Sequence, residues 1–508
     1  MTAFRVKFVS TRFPAPMNRR PALLLALSLA AAAATAAAPA PPDYLHHVRA
    51  YAEAMIRGGR DTYGGEHSPL FAAALDRRTL KLGSAQSFGA IEGVRASDRS
   101  IGGANPQVDT ALYEILYALS EITGEPRYAT AADEALGFFF RRCQSPATGL
   151  MAWGEHLYWD FESDRCKGID RSHEVGGEWP FWDQCYRLAA EACWRFALGQ
   201  WDHQIADQAT GDFSRHAQYS QHGPQKGSDF PRYAGQLILN WADAYARPAN
   251  ERRERRAELV AAITVLVARM ENNMRLTPTG YLPALAGADY LWPTSNLELA
   301  RCLWKAAPMI AGTQPDLAQR MRALALRQDE HFLRAPHAIA QGGGFAVTLD
   351  TRTGQPRDRA MNRPYTATWA SGYGYGTHAG VARRCLERQE QLRETHPALA
   401  ARYQELALAA VTRYLTAEPD PAELQKPEVF AALVELLLAA HALSSDRQVL
   451  DRADHFARIG VGLFLDAVSP LPKASNRHDH YETITGGPDF MGALLRLHRT
   501  LHGSLPPR

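Results

Sequence analysis

From about residue 105 onward, hydrophobic positions recur every three to four residues, and the segments they mark are separated by Gly, Pro and Asn. Val108, Leu112, Ile115, Leu116 and Leu119 follow the i, i+3, i+4, i+7 rule of a helix with one apolar face. Gly124 and Pro126 end that helix and open the next, which runs through Arg142 to the turn Ser145-Pro146-Ala147-Thr148-Gly149. The same reading predicts helices at about 179–200, 229–246, 252–274, 294–310, 315–334, 371–387, 397–416, 427–443, 447–466 and 486–502. The alternation expected of strands is scarce.

Helices of this length in series fit either a closed α/α toroid or an open helical solenoid. No strict repeat at the periods of helical solenoids is visible. Long irregular stretches at about 83–104, 154–178, 209–228 and 341–370 interrupt the helices, and loops of that size usually carry function. The expected fold is therefore all-α, an (α/α) toroid or barrel of about six to seven helical hairpins with long loops.

The N-terminal stretch breaks this pattern. Arg5, Lys7, Arg12, Arg19 and Arg20 precede an apolar run from Ala22 to Ala38, which gives way to Pro39, Pro41 and Pro42. That is the layout of a cleaved signal peptide, expected over 1–38, with a single toroid domain over 39–508 and a mature protein in the periplasm or outside the cell. No later segment reads as long and apolar enough to span a bilayer.

Composition adds limits. With 46% hydrophobic and 22% charged residues the chain has material for a large core. The net charge of +2 gives no global field that would argue for nucleic acid. Export would permit disulfides among Cys143, Cys166, Cys185, Cys193, Cys302 and Cys385, yet no disulfide framework is expected. Cys185 and Cys193 lie on one predicted helix, roughly 12 Å apart along its axis. Without a CxxC pair the cysteines do not suggest a zinc site either.

One region is dense in ligand-type and aromatic residues: Trp153-Gly154-Glu155-His156-Leu157-Tyr158-Trp159-Asp160, Arg171-Ser172-His173-Glu174, Glu178-Trp179-Pro180-Phe181-Trp182, Trp201-Asp202-His203 and Phe213-Ser214-Arg215-His216. His156, Glu174 and His216 stand at or beside three loop–helix junctions that a toroid can bring to one face. Two imidazoles and a carboxylate suit Mn, Ni, Zn or Fe better than calcium, which prefers oxygen ligands. A single histidine is more often a hydrogen-bonded structural residue, and the 18 histidines make chance groupings easy. His173 and Glu178 are alternatives, while His203 reads as orienting a turn.

In order and approximate spacing these motifs resemble polysaccharide lyase family 2, the α/α-toroid pectate lyases, most strongly over about 105–220. The His480-Tyr481-Glu482 and Gly486-Gly487-Pro488-Asp489 stretches are similar as well. The resemblance implies an exported enzyme that cleaves uronate-containing polysaccharide or oligosaccharide by metal-assisted β-elimination. His156, Glu174 and His216 would be the metal ligands, Arg215 the base and Mn2+ the cofactor. A cation on the substrate carboxylate stabilises the charge that develops when C5 loses its proton. An arginine base runs against the usual permanence of the guanidinium charge, so a carboxylate clamp is the other role open to Arg215. Gly176-Gly177-Glu178 and a short loop after His156 depart from the family pattern and bear on substrate choice.

Several further groups are expected around the substrate. Trp153, Tyr158, Trp159, Trp179 and Trp182 offer faces for sugar stacking, although aromatic residues are equally core fillers. Arg95, Arg99, Asn105 and Gln107 lie in a Gly-rich loop before a helix, open equally to binding uronate carboxylates and to being a solvated loop. A later loop holds Asn362, Arg363, Tyr365, Trp369, Tyr373, Tyr375 and His378. The rival enzyme class is a toroid glycoside hydrolase using two carboxylates from Asp109, Asp160, Glu178 and Asp212. A non-catalytic carbohydrate-binding protein is the third reading, and export counts against a sugar epimerase.

Overall fold

The computed structural model describes residues 43–170, the backbone of 172–174, and residues 178–221, 223, 229–247, 255–358, 363–371 and 376–503. The chain divides after Ala40, and every described residue belongs to the second unit, Pro41–Arg508. The expected signal peptide lies outside the described residues.

The helices are α1 (Tyr44–Gly58), α2 (Ala85–Phe88), α3 (Thr110–Thr123), α4 (Arg127–Arg142), α5 (Trp182–Gln204), α6 (Pro231–Ala246), α7 (Arg256–Arg275), α8 (Pro293–Ile310), α9 (Pro315–Arg334), α10 (His378–Leu392), α11 (Pro397–Tyr414), α12 (Pro427–Ser444), α13 (Arg447–Phe464) and α14 (Gly487–Leu501). Proline in the first turn opens α6, α8, α9, α11, α12 and α14, where its missing N–H costs nothing and its fixed φ favours the helix. Gly124 ends α3 at φ 72°, a left-handed cap that glycine adopts without strain.

α6, α8, α10, α12 and α14 pack each against the next, and α14 meets both α3 and α1. α3, α4, α5 and α6 complete the circuit in sequence. α7, α9, α11 and α13 back onto α6, α8, α10 and α12 from outside. The result is an all-α toroid, as expected, closed by contacts between the two ends of the described chain. A two-residue ladder, Ala74–Leu75 with Tyr481–Glu482, adds to the closure.

Three features differ from the sequence reading. α1 was not anticipated; its apolar stripe of Tyr44, Val48, Tyr51, Ala52 and Met55 is buried against the ring. α5 is broken at Ala189 (φ −156°, ψ 55°), between Cys185 and Cys193, so those thiols do not ride a straight helix. α12 is apolar and long enough to cross a membrane by length and composition, with a mean hydropathy of 1.5. Here it is a core element packed against α10, α13 and α14.

Between α4 and α6 the chain leaves the ring in short strands: Tyr158–Asp160 and Arg165–Lys167 form a hairpin, Gly103–Ala104 pairs with its first strand, and Ser172–Glu174 pairs with His216–Gln218. Under this arm sits an aromatic cluster in which Trp153 contacts Phe139, Phe140, Trp179 and Phe196.

Candidate metal centre

Two residues with positive φ, on either side of Glu155, set the geometry of the arm. Gly154 (φ 90°) and His156 (φ 70°) turn the chain sharply, and Asn105 holds the Gly154 carbonyl at 2.8 Å. For His156 that backbone is a sparsely populated state whose cost must be met by surrounding contacts. One contact is the approach of Gly168, where any Cβ would strike the His156 carbonyl.

The turn brings together groups that the sequence keeps far apart. Nδ1 of His156 lies 2.9 Å from the Ser97 carbonyl and 3.2 Å from Oδ1 of Asp98. On the other side, Oε2 of Glu155 stands 3.5 Å from Nε2 of His156 and 3.8 Å from Nε2 of His216. Ligand atoms of Asp98, Glu155 and His156 all lie within 4.8 Å of one another. All four side chains are partly exposed, so an ion and a substrate have access. The short 3-10 turn Ala96–Asp98 presents Asp98, and Arg95 from the same loop pairs with both Asp98 (2.7 Å) and Glu155.

His216 sits on its strand with its backbone N–H donated to Ser214 Oγ at 3.0 Å. Burial, then the charges of Arg215, His156 and Arg95, hold its imidazole down to about 4. It is therefore neutral near pH 7, the form that binds metals. Asp98, Glu155 and His156 make a mixed N/O set of the kind that suits a divalent transition ion, with His216 at its edge beside Glu155. Glu174 takes the backbone position directly opposite His216 in the ladder; its side chain, like that of His173, is outside the described residues. The structure thus brings His156 and His216 together and adds Asp98 and Glu155, which sequence reasoning missed. Adjacency to His156 was the available signal for Glu155, whereas nothing local marked Asp98.

Arg215 flanks this group, its guanidinium 4.9 Å from the Phe230 ring. The cation–π contact fixes the side chain beside His216.

Other expected site residues lie elsewhere. Trp159 and Trp182 are core aromatics, 2% and 9% exposed, packed edge-on against Phe138 and Phe140. Their large apolar area is used inside the fold, which corrects the expectation that they stack on sugar. Trp153 and Trp179 are buried too, and of the five aromatics only Tyr158 stays half-exposed. Arg99 is also corrected: its buried guanidinium is engaged by Glu482 and does not face a carboxylate-binding cleft. Arg95 remains at the centre. Arg363 is exposed on the later loop. In that loop His378 is buried against Phe345 and Tyr414, and Trp369 packs on Tyr414 and Phe456. Asn362, Tyr373 and Tyr375 lie outside the described residues.

The carboxylates suggested for a hydrolase do not form a pair. Asp160 accepts from Ser163, Glu178 is held by Arg301 and Lys305, Asp212 by Arg269, and Asp109 is fully buried. A separate cavity of about 390 Å³ opens between α10, α12 and the start of α14, lined by Arg383, Arg384, Glu428, Glu435 and Asp489. None of the metal-centre residues lines it.

Comparison with solved structures finds a D-mannose isomerase (11% identity, TM-score 0.43, covering 90% of this chain and 97% of that one). It also finds the cellobiose 2-epimerase of Bacillus thermoamylovorans B4167 (9%, 0.42, covering 90% and 99%) and the GH76A α-1,6-mannanase of Salegentibacter sp. HEL1_6 (11%, 0.41, covering 90% and 99%). At these scores they add no argument to the ring closure seen directly. The sequence itself is more specific. Residues 69–235, which contain Arg95, Asp98, Glu155, His156, Arg215 and His216, match the family described as periplasmic pectate lyase, in line with the resemblance read from the sequence.

Proposed function

We propose that the protein cleaves a uronate-containing polysaccharide or oligosaccharide by β-elimination, with a divalent transition metal, manganese first among the choices. The observation that carries this reading is the shared carboxylate of Glu155 between His156 and His216, inside the stretch that matches the pectate lyase family. His156, His216, Glu155 and Asp98 would hold the ion, with Glu174, opposite His216 in the ladder, as the further ligand the family resemblance implies. When bound, the ion supplies Lewis-acid stabilisation of the charge that C5 deprotonation pushes onto the uronate carboxylate.

Arg215 takes the C5 proton at a guanidinium nitrogen. The electron pair becomes the C4–C5 double bond, and the glycosidic oxygen leaves from C4 with its bonding pair and takes a proton from water. Cationic neighbours favour the neutral guanidinium this step needs, and Arg95 is close enough to act on His216 as well. Tyr158, Arg95 and Arg363 are the proposed substrate contacts. The family description as periplasmic supports export, with residues 1–38 as a cleaved signal and 39–508 as one toroid domain.

Ultraviolet absorbance of the unsaturated product on polygalacturonate provides the test. The expected result is a rise abolished by chelator and restored by Mn2+. New reducing ends without that rise would replace the lyase reading with hydrolysis, and binding without turnover across uronate polymers would leave a carbohydrate-binding protein.

A further inference from the structure

Among six free cysteines, Cys166 is the one that is not buried. It sits in the strand Arg165–Lys167, opposite Trp159 in the hairpin ladder. Cys143 caps the end of α4, its carbonyl held by the Ala152 N–H at 2.9 Å. One phenol touches both residues: the Tyr219 hydroxyl is 3.2 Å from the Cys143 carbonyl and 3.8 Å from the Cys166 sulfur. The Tyr219 hydroxyl thus ties the backbone of Cys143 to the sulfur of Cys166 and sets the two residues side by side. The Arg142 guanidinium, 5.8 Å from the Trp159 ring, adds positive charge beside them.

The two sulfurs differ in reactivity. The hydrogen bond from Cys143 lowers the Cys166 thiol below its ordinary value, while burial raises that of Cys143. Burial pushes Cys185 up to about 12, and it raises Cys193, Cys302 and Cys385 as well. A partly exposed thiol with a lowered proton affinity beside an arginine is the reactive kind, and deeply buried thiols are inert.

We infer that Cys143 and Cys166 form a disulfide by exchange with a disulfide oxidant, closing a covalent ring around the segment that carries Glu155 and His156. Cys166 loses its proton and its thiolate attacks one sulfur of the oxidant, forming a mixed disulfide and releasing one thiol of the oxidant. Cys143, deprotonated in turn, attacks the Cys166 sulfur and releases the second. Two protons and two electrons leave the protein, and the oxidant's disulfide becomes two thiols. An exported location would supply such an oxidant, but the bond itself does not depend on the lyase reading. The bridge closes a ring that contains the turn at Gly154–His156.

The experiment treats the purified chain with oxidised glutathione, alkylates it under denaturing conditions and maps the peptides. The expected result is a mass about 2 Da lower before alkylation, a cross-linked Cys143–Cys166 peptide and four cysteines alkylated of the six. The melting temperature should rise by about 3 °C, as closure of a loop of this length implies. Dithiol reductant should reverse the rise, and Cys166→Ser and Cys143→Ala should both lack it. Cys185→Ser should behave as the parent. Full alkylation of both residues, a lasting glutathione adduct on Cys166, or a bridge between other cysteines would overturn the inference.

Discussion

Arg99 grips Glu482 with two guanidinium nitrogens, Nε to Oε1 at 2.6 Å and Nη2 to Oε2 at 2.5 Å, and both side chains are almost wholly buried. His480 shares the same carboxylate at 2.8 Å and stacks on Phe88, with ring centroids 4.2 Å apart. Asp98 immediately precedes Arg99, so this pair anchors the loop that places Asp98 and Arg95 beside Glu155 and His156. Arg99→Ala should destabilise the fold by about 3 kcal/mol or more, because a buried carboxylate loses its partner. Arg99→Lys should rescue little, since an ammonium cannot reproduce the fork. Thermal unfolding checks this; a variant as stable as the parent but with raised KM would instead make Arg99 a substrate contact.

Glu155→Gln and Asp98→Asn should each weaken Mn2+ binding by roughly tenfold or more, as measured by calorimetry on the protein without substrate. Unchanged affinity in Glu155→Gln would remove that residue from the ligand set while leaving the two histidines in place.

Arg215→Ala should lower kcat by about 100-fold or more with little change in KM if the residue is the base. Arg215→Lys separates the two roles. A clamp should keep much of kcat with a higher KM, while a base positioned by Phe230 should not be replaced by an ammonium.

Glu298 gives a pH dependence. Burial would raise its carboxyl, but Arg301 at 2.6 Å more than reverses this and holds it down to about 2. A depressed acid stabilises the fold above its unfolded value of 4.5, and that contribution is lost as pH falls from there towards 2. The loss should amount to about 3 kcal/mol. Denaturant unfolding from pH 6 down to pH 2 should show a shallower acid limb in Glu298→Gln than in the parent; parallel limbs would show that Glu298 is not responsible.

Trp182→Ala should cost about 3 to 5 kcal/mol of stability, as for other buried aromatics, whereas Tyr158→Ala should alter KM more than melting temperature. This contrast follows from what the sequence leaves ambiguous. Sugar platforms and core fillers use the same residues, and only burial separates Trp182 from Tyr158. Helices were legible because prolines such as Pro315, Pro397 and Pro427 mark their starts and an apolar stripe marks their length. α1 escaped notice beside the leader-like segment, and strands of two or three residues are too short for alternation to register. His156 and His216 could be singled out from residue type, and the fold does bring both to Glu155. Asp98 could not, because only the fold carries it across 58 positions to His156.

The meeting of α14 with α1 and α3 has a consequence for how the molecule is made. Contacts between elements so far apart in sequence are the slowest to find, and a ribosome releases α14 only after every other described helix. Every partial chain therefore presents an open arc with bare apolar flanks at both ends. Holding such an arc apart from its neighbours until α14 arrives is a task for chaperones, and a frameshift that removes α14 should yield aggregates in place of a smaller folded ring.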